Sequence, residues 1–234
     1  MAETFSPFQL EAAGLVNEQG RQLLEPTSLV IDKPGCYRIS SQAGAGLSQV
    51  LKLMAGLVHP STGSVRWGDK RVDDERFHRN ARDRLAFSYV QRTGGLLANH
   101  TLLSNTILPL IYHGWFSEKQ ALEVGKIYLE ELGFIDEKDK LPAWSSAKAC
   151  KLGLVLRSLI ACPQYLILDD PFHGLHPDAS DRLLKLIERH RAEKGLRVVI
   201  LGAEDSRWDA TLRIKKIRLH NARFEMLSEN GMGE

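Results

Sequence analysis

The spacing of apolar residues changes twice along the chain and predicts a mixed α/β fold. Residues 1–35 read as short strands and turns; Thr27–Ile31 is one strand, closed by Lys33-Pro34-Gly35, and Cys36–Ser40 is the next. A glycine-containing loop follows from Ser41 to Ser48. Behind it Val50, Leu51, Met54, Leu57 and Val58 recur at helical spacing. His59–Gly63 is a turn, Ser64–Trp67 a short strand, and 84–90 another strand ending at Gln91. From there the period becomes helical. Ser117 and Gln120 have the spacing of a capping box, and Ala121, Leu122, Val124, Ile127, Tyr128 and Leu132 follow to Gly133. A further helix covers about 146–161 and is stopped by Pro163.

The last third returns to short apolar runs. Tyr165–Leu168 and Val198–Leu201 are uninterrupted by polar residues, as strands covered on both faces of a parallel sheet are. Between them lies an amphipathic helix over 178–194 with Gly195 as its C-terminal cap, and 212–227 reads as two strands around Asn221. The order predicts a single domain over 1–234: a parallel-sheet core, an N-terminal antiparallel β subdomain, and a helical subdomain inserted at about 92–160.

Composition narrows the function classes. A hydrophobic share of 43% and a charged share of 26% suit a soluble domain with a real core, and a net charge of +2 argues against a nucleic-acid partner. Cys36, Cys150 and Cys162 form no C-x-x-C pair, which suits buried thiols in a reducing cytosol. No apolar run is long enough to span a bilayer, and Met1–Ser6 lacks the features of a signal peptide. The expectation is a cytoplasmic protein that reaches any membrane through other chains.

The loop between the second strand and the first helix carries the candidate chemistry. A strand, a glycine turn and a helix N-terminus aim backbone N–H groups at one point and so favour a phosphate. Against the pattern G-x-x-x-x-G-K-[ST], Gly46 and Ser48 match and Gly44 lies within the loop, but Ser41 replaces the first glycine and Leu47 the lysine. Alone, such a turn is more often a plain structural connection. Losing the lysine removes charge-assisted hydrogen bonds and with them about one to two orders of magnitude of phosphate affinity.

The rest of the chain resembles the ATP-binding cassette (ABC) ATPases over nearly its full length. Gly46–Gln49 with Val50–Leu57 looks like that family's phosphate loop and helix, and His59–Val65 like the turn and strand after it. Tyr89-Val90-Gln91 is similar to the family's glutamine loop, and Gly94–Leu110 to the segment that packs under the membrane subunit. Leu141–Trp144 leads into the signature position, Leu166–Pro171 resembles the Walker B strand, and Gly195–Ile200 the strand before the switch histidine. Asp170-Pro171-Phe172-His173-Gly174 carries a hint of the lipid-transport branch. The resemblance implies a P-loop NTPase-like core that takes ATP and Mg²⁺. Nucleotide would meet Gly44, Gly46, Ser48, Gln49, Gln91 and Ser146; the metal would meet Ser48, Gln91 and Asp169.

The same alignment shows what has changed. The catalytic glutamate position holds Asp170, one methylene shorter, and a misplacement of about 1 Å costs on the order of 100-fold in rate. The switch histidine aligns with Ala203, next to Glu204. The signature L-S-G-G-Q aligns with Ser145-Ser146-Ala147-Lys148-Ala149, keeping the serine and losing both glycines; Lys148 either meets a phosphate or is solvated. His176 stands for the D-loop aspartate, and Leu15–Leu24 offers no aromatic for adenine. The resemblance therefore implies an impaired pseudo-ATPase with weak or absent ATP and Mg²⁺ binding. It would lie on the inner face of the cell membrane, docked to a transmembrane subunit and paired with itself or a second ABC ATPase. The alternatives are an active ATPase with unusual motifs and a soluble binding module that reuses the fold.

Overall fold

Residues 5–80, 83, 85–203 and 209–227 are described by the computed structural model. The chain opens with two long antiparallel strands, β1 (Phe8–Val16) and β2 (Gln22–Ile31). The sequence reading resolved only the end of β2. Register shifts after Leu10, Ala13 and Leu15, with Ala12 at φ 46°, break the period-two signal that a regular strand would show. β4 (Thr62–Trp67) and β5 (Lys70–Arg71) complete a four-stranded antiparallel sheet in the order β2-β1-β4-β5.

The second sheet has six strands in the order β10-β9-β3-β8-β7-β6, built from β3 (Gly35–Ser41), β6 (Phe87–Val90), β7 (Tyr165–Asp169), β8 (Val198–Gly202), β9 (Lys215–His220) and β10 (Arg223–Leu227). β9, β3, β8, β7 and β6 pair in parallel, and β10 returns antiparallel through Asn221 and Ala222, both at positive φ. Every residue of β7 and β8 is buried, as their apolar composition requires. The strand expected over 84–90 is shorter: Asp83 and Leu85 are helical, residue 84 lies outside the described residues, and the strand begins at Phe87.

α1 (Leu47–Met54) follows β3 directly. Its apolar spacing ran on to Val58, but the helix stops at Met54. Gly56 takes φ 69°, and the Gly56 and Leu57 N–H groups turn back onto Leu53 and Lys52 carbonyls. After the short α2 (Glu75–Arg79), three helices lie between β6 and β7: α3 (Leu102–Tyr112), α4 (Glu118–Glu131) and α5 (Ala147–Leu159). α4 has the capping box of Ser117 and Gln120. Gly125 of α4 fits where a Cβ would meet Ile107 of α3 at 2.4 Å, so this glycine lets the two helices approach closely. α6 (Pro177–Glu193) crosses back to β8, and α7 (Asp209–Leu212) precedes β9.

Two apolar clusters result. One joins α3–α6 to one face of the six-stranded sheet; the other joins its opposite face to α1 and the antiparallel sheet. Cys36 is buried and Cys150 half-buried, but Cys162 is exposed just past α5, which corrects the expectation of three buried thiols. No helix among the described residues is long and apolar enough to cross a membrane.

Candidate functional site

The parallel register brings three chain segments to one end of the sheet. Ile39 of β3 and Asp169 of β7 both pair with Gly202 of β8, so the loop after β3, the turn after β7 and the turn after β8 emerge together. Open α/β sheets place ligands at these carboxyl ends. Gly202 is required there because a Cβ would stand 2.3 Å from Leu51 Cδ1, and Leu51 holds α1 against the sheet.

A cavity of about 850 Å³ opens at this junction. Gly44, Gly46, Ser48, Gln49, Asp169 and Asp170 all line it. Gly44 and Gly46 take φ 78° and 84°, a left-handed turn that delivers the chain into α1 with Leu47 as its first residue. The N-terminus of α1 therefore faces the cavity with an aliphatic side chain where the phosphate-loop pattern has a cation. A cleft of about 540 Å³ continues past Gly44 and Gln49 between Leu15, Val16, Leu23 and Val58, and its wall has no aromatic among the described residues.

Asp169 ends β7, is buried, and accepts a hydrogen bond from Tyr89 Oη at 3.3 Å. Burial raises the Tyr89 phenol above its usual range, and the Asp169 charge adds to the shift, so Tyr89 remains a donor. Asp170 sits at φ 50°. Its Oδ2 is 3.3 Å from Arg92 Nη2 and 3.7 Å from His173 Nδ1. Behind it Lys151 of α5 donates to two carbonyls, Arg92 O at 2.5 Å and Asp170 O at 3.0 Å, and fixes the segment after β6 beside the turn after β7. Burial pushes the Lys151 ammonium down, while Asp170 and Asp169 pull it back.

The remaining sequence candidates lie elsewhere. Gln91 is not on the cavity wall; its side-chain amide rests against Gly94 and Gly95, where a Cβ on Gly95 would come within 2.9 Å of Nε2. Ser146 caps α5 and accepts from Ala149 N–H at 3.1 Å. Its own donors are both taken: Ser146 N–H donates to Glu137 Oε2 at 2.7 Å and Ser146 Oγ to Glu137 Oε1 at 2.6 Å. Burial pushes the Glu137 carboxyl up. The hydrogen bonds from Ser146 and the Lys140 ammonium outweigh this and hold it below the usual carboxylate range. Lys148 turns back to donate to Gly133 O at 3.2 Å, neither reaching outward nor fully solvated. Ala203 is buried on the cavity wall, His176 is exposed ahead of α6, and Glu204 lies outside the described residues.

Three residues were missed by sequence reasoning. Arg92 and Lys151 have no motif position of their own, and only the fold brings them to Asp170. Glu137 lies nine residues before Ser146 across two short 3₁₀ turns, a separation that no periodicity marks.

Comparison with known proteins places these features in a family. The ABC transporter family profile matches residues 24–173. Among curated proteins, the methionine import ATP-binding protein MetN 2 of Oenococcus oeni is 27% identical over 184 residues, covering 76% of this chain and 51% of that protein. The MetN protein of Clostridioides difficile is 28% identical over 185 residues, covering 77% and 56%. The chain thus spans about half the length of the curated relatives it matches. Among solved structures, a dimeric post-hydrolysis state of the ATP-binding cassette MJ0796 bound to ADP and Pi superposes with a TM-score of 0.81 at 19% identity, covering 94% of this chain and 99% of that one. The ATP-binding subunit of another ABC transporter gives 0.78 at 22% identity, covering 94% and 90%.

Proposed function

The chain belongs to the ABC transporter family, and from that premise we propose that it is a cassette subunit on the cytoplasmic face of a membrane transport complex, impaired as an ATPase. The observation that carries this reading is Glu137. In a cassette pair, the helix after the signature presents its N-terminus to the phosphates held by the partner. Here the chain's own carboxylate sits beside that helix end and takes the cap's donors, Ser146 N–H and Oγ. A second anion brought to the same donors must displace the first and meet its repulsion. Leu47 at the head of α1, Asp170 tied to Arg92, and Ala203 without a polar group weaken the other side of the same transition state.

The donor set suits a metal that arrives with nucleotide. Asp169 and Ser48 line one cavity and supply one carboxylate and one hydroxyl, which fits Mg²⁺, an ion that keeps waters and takes phosphate oxygens. When bound, the ion would neutralise charge on the phosphates. The protein's part is to hold Asp169 in place through β7 and Tyr89 Oη.

Docking to a transmembrane subunit is supported by the C-terminal end of α3. Ile111, Tyr112, Trp115 and Phe116 are exposed there, with Leu97 exposed on the loop before the helix, whereas a free soluble module has no need of such a face. The names of the relatives point to import of a small molecule; Pro171-Phe172 and Gly174 are the residues behind the lipid-transport alternative. The pairing partner is a second copy or another ABC ATPase.

Steady-state ATP hydrolysis by the purified subunit and by its membrane complex tests the proposal. The expected turnover is at or near background and unchanged by Asp169→Asn. Turnover at or above about 1 s⁻¹, within the ordinary enzyme range, that Asp169→Asn abolishes would return the chain to the active-ATPase reading.

A further inference from the structure

The cavity at the end of the parallel sheet has an electrostatic imbalance. Its wall carries the Asp169 and Asp170 carboxylates, and a triphosphate would add more negative charge. The head of α1 contributes Leu47, so no cation comes from the phosphate loop. Among the described residues on that wall, Arg92 is the one with a permanent positive charge. Its side chain is more than half exposed, and its guanidinium makes an ion pair of 3.3 Å with Asp170 Oδ2.

The position of Arg92 is built. Lys151 gathers the Arg92 and Asp170 carbonyls onto one ammonium, which sets the two backbones side by side on the cavity wall. A few residues on, Arg157 donates to Gly95 O at 2.5 Å and to Asn105 Oδ1 at 3.2 Å. Buried Asn105 in turn donates to Leu97, His100 and Thr101 carbonyls and accepts from Leu97 N–H. The segment after Gln91 is thus pinned near its start and again beyond Gly95. Among the described residues the Arg92 side chain has one partner, a carboxylate, in a cavity whose loop geometry favours phosphate. A guanidinium presents five donors in a planar fork and binds phosphate oxygens two at a time, so a phosphate is a better partner than one carboxylate oxygen at 3.3 Å.

We infer that Arg92 is the phosphate-binding cation of this cradle, relocated from the first turn of α1 to the segment after β6, and that Asp170 holds it until a polyphosphate displaces the carboxylate. Asp170 is then a competitor for the cation, in contrast to its assignment by alignment. This deepens the cassette reading and rests on it. On this reading Arg92 supplies the charge that the loop lacks, and its ion pair keeps Asp170 from acting on a water.

Binding of MgATP to the full chain, measured by calorimetry at low and at physiological salt, tests this. Arg92→Ala should weaken binding roughly 10- to 100-fold, the range of one lost charge-assisted phosphate contact. Arg92→Lys should recover part of that loss, and the salt dependence of binding should flatten in Arg92→Ala. Asp170→Asn should strengthen binding a few-fold by releasing the guanidinium. A thermal melt of each variant checks folding; the Lys151 bridge uses only the Arg92 main chain, so it survives the substitution. Equal affinity of wild type and Arg92→Ala, or weaker binding by Asp170→Asn, overturns the inference and leaves the impaired-cassette reading standing. So does an absence of any MgATP signal from the wild type up to about 10 mM. Affinity below about 10 µM that survives Arg92→Ala overturns both.

Discussion

Replacing Glu137 by alanine should cost stability at one identifiable place. The wild-type carboxylate receives two charge-assisted hydrogen bonds, at 2.7 Å from Ser146 N–H and 2.6 Å from Ser146 Oγ, with Lys140 Nζ at 3.6 Å. Such bonds contribute about 1.5–3 kcal/mol each when both partners are shielded. Ser146 is exposed, so water takes over both donors when the carboxylate is removed, and the Glu137 side chain is 17% exposed. Discounting for that solvent leaves a loss of about 1–2 kcal/mol, or roughly 2–8 °C in Tm for a chain of this size. Glu137→Gln keeps an acceptor without the charge and should lose about half as much. The Glu137 carboxyl is held below its unfolded value. Its contribution is therefore fully present above the unfolded carboxylate range and disappears as pH falls through the folded value. Urea denaturation of wild type and Glu137→Ala should give curves well apart at pH 7 that draw together as the pH is lowered through the carboxylate range. In the alanine variant, inorganic phosphate should restore part of the loss by binding the vacated helix end; in wild type it should not. Midpoints that coincide at pH 7 would refute the reasoning, since the α5 N-terminus would then not be held by Glu137 at all.

Three further outcomes follow from packing and burial. His190 of α6 is fully buried, with Nε2 3.3 Å from Oη of Tyr128 on α4; burial lowers its pKa to about 4, and Arg189 and Lys194 push the same way. A lowered folded value means stability is lost as pH drops below the unfolded value, so denaturation should show a loss of about 2 kcal/mol between pH 7 and pH 5 that His190→Gln removes. Gly202→Ala drives a Cβ to 2.3 Å from Leu51 Cδ1 and should cost about 1–3 kcal/mol in a urea titration; an unchanged midpoint would mean α1 can shift freely on the sheet. Asn105→Leu strips the loop after Gln91 of four hydrogen bonds and leaves Arg157 without one of its acceptors. Hydrogen exchange should then rise across residues 95–101 with little change in β7 and β8.

The parts of the fold that were legible in the sequence are those whose period is undisturbed. Tyr165–Leu168 and Val198–Leu201 have the length and unbroken apolar character that suit doubly covered strands, and the Ser117–Gln120 pair marked the start of α4. β1 was hidden because its bulges move the apolar set from one parity to the other at Ala12 and Ala13. The end of α1 was misread because Leu57 and Val58 keep the helical spacing past Gly56, where the backbone has already turned. α3 carries Pro109 within its span, which argues against a helix when read alone. At the site, the glycine loop and the Asp169-Asp170 turn could be seen because they are contiguous. Arg92, Lys151 and Glu137 act through neighbours that only the tertiary fold supplies, and a residue without a motif position has no pattern to announce it. The same limit applies to Gln91 and Ser146, whose motif positions say nothing of the neighbours that hold their side chains.

A structure of the membrane complex trapped with a non-hydrolysable ATP analogue and Mg²⁺ bears most directly on the impaired-cassette account. The account predicts that both Glu137 oxygens stay on Ser146 and that no phosphate oxygen comes within hydrogen-bonding reach of Ser146 Oγ or the α5 N–H groups. A map with Glu137 swung aside and a partner-held γ-phosphate seated on those donors would contradict it.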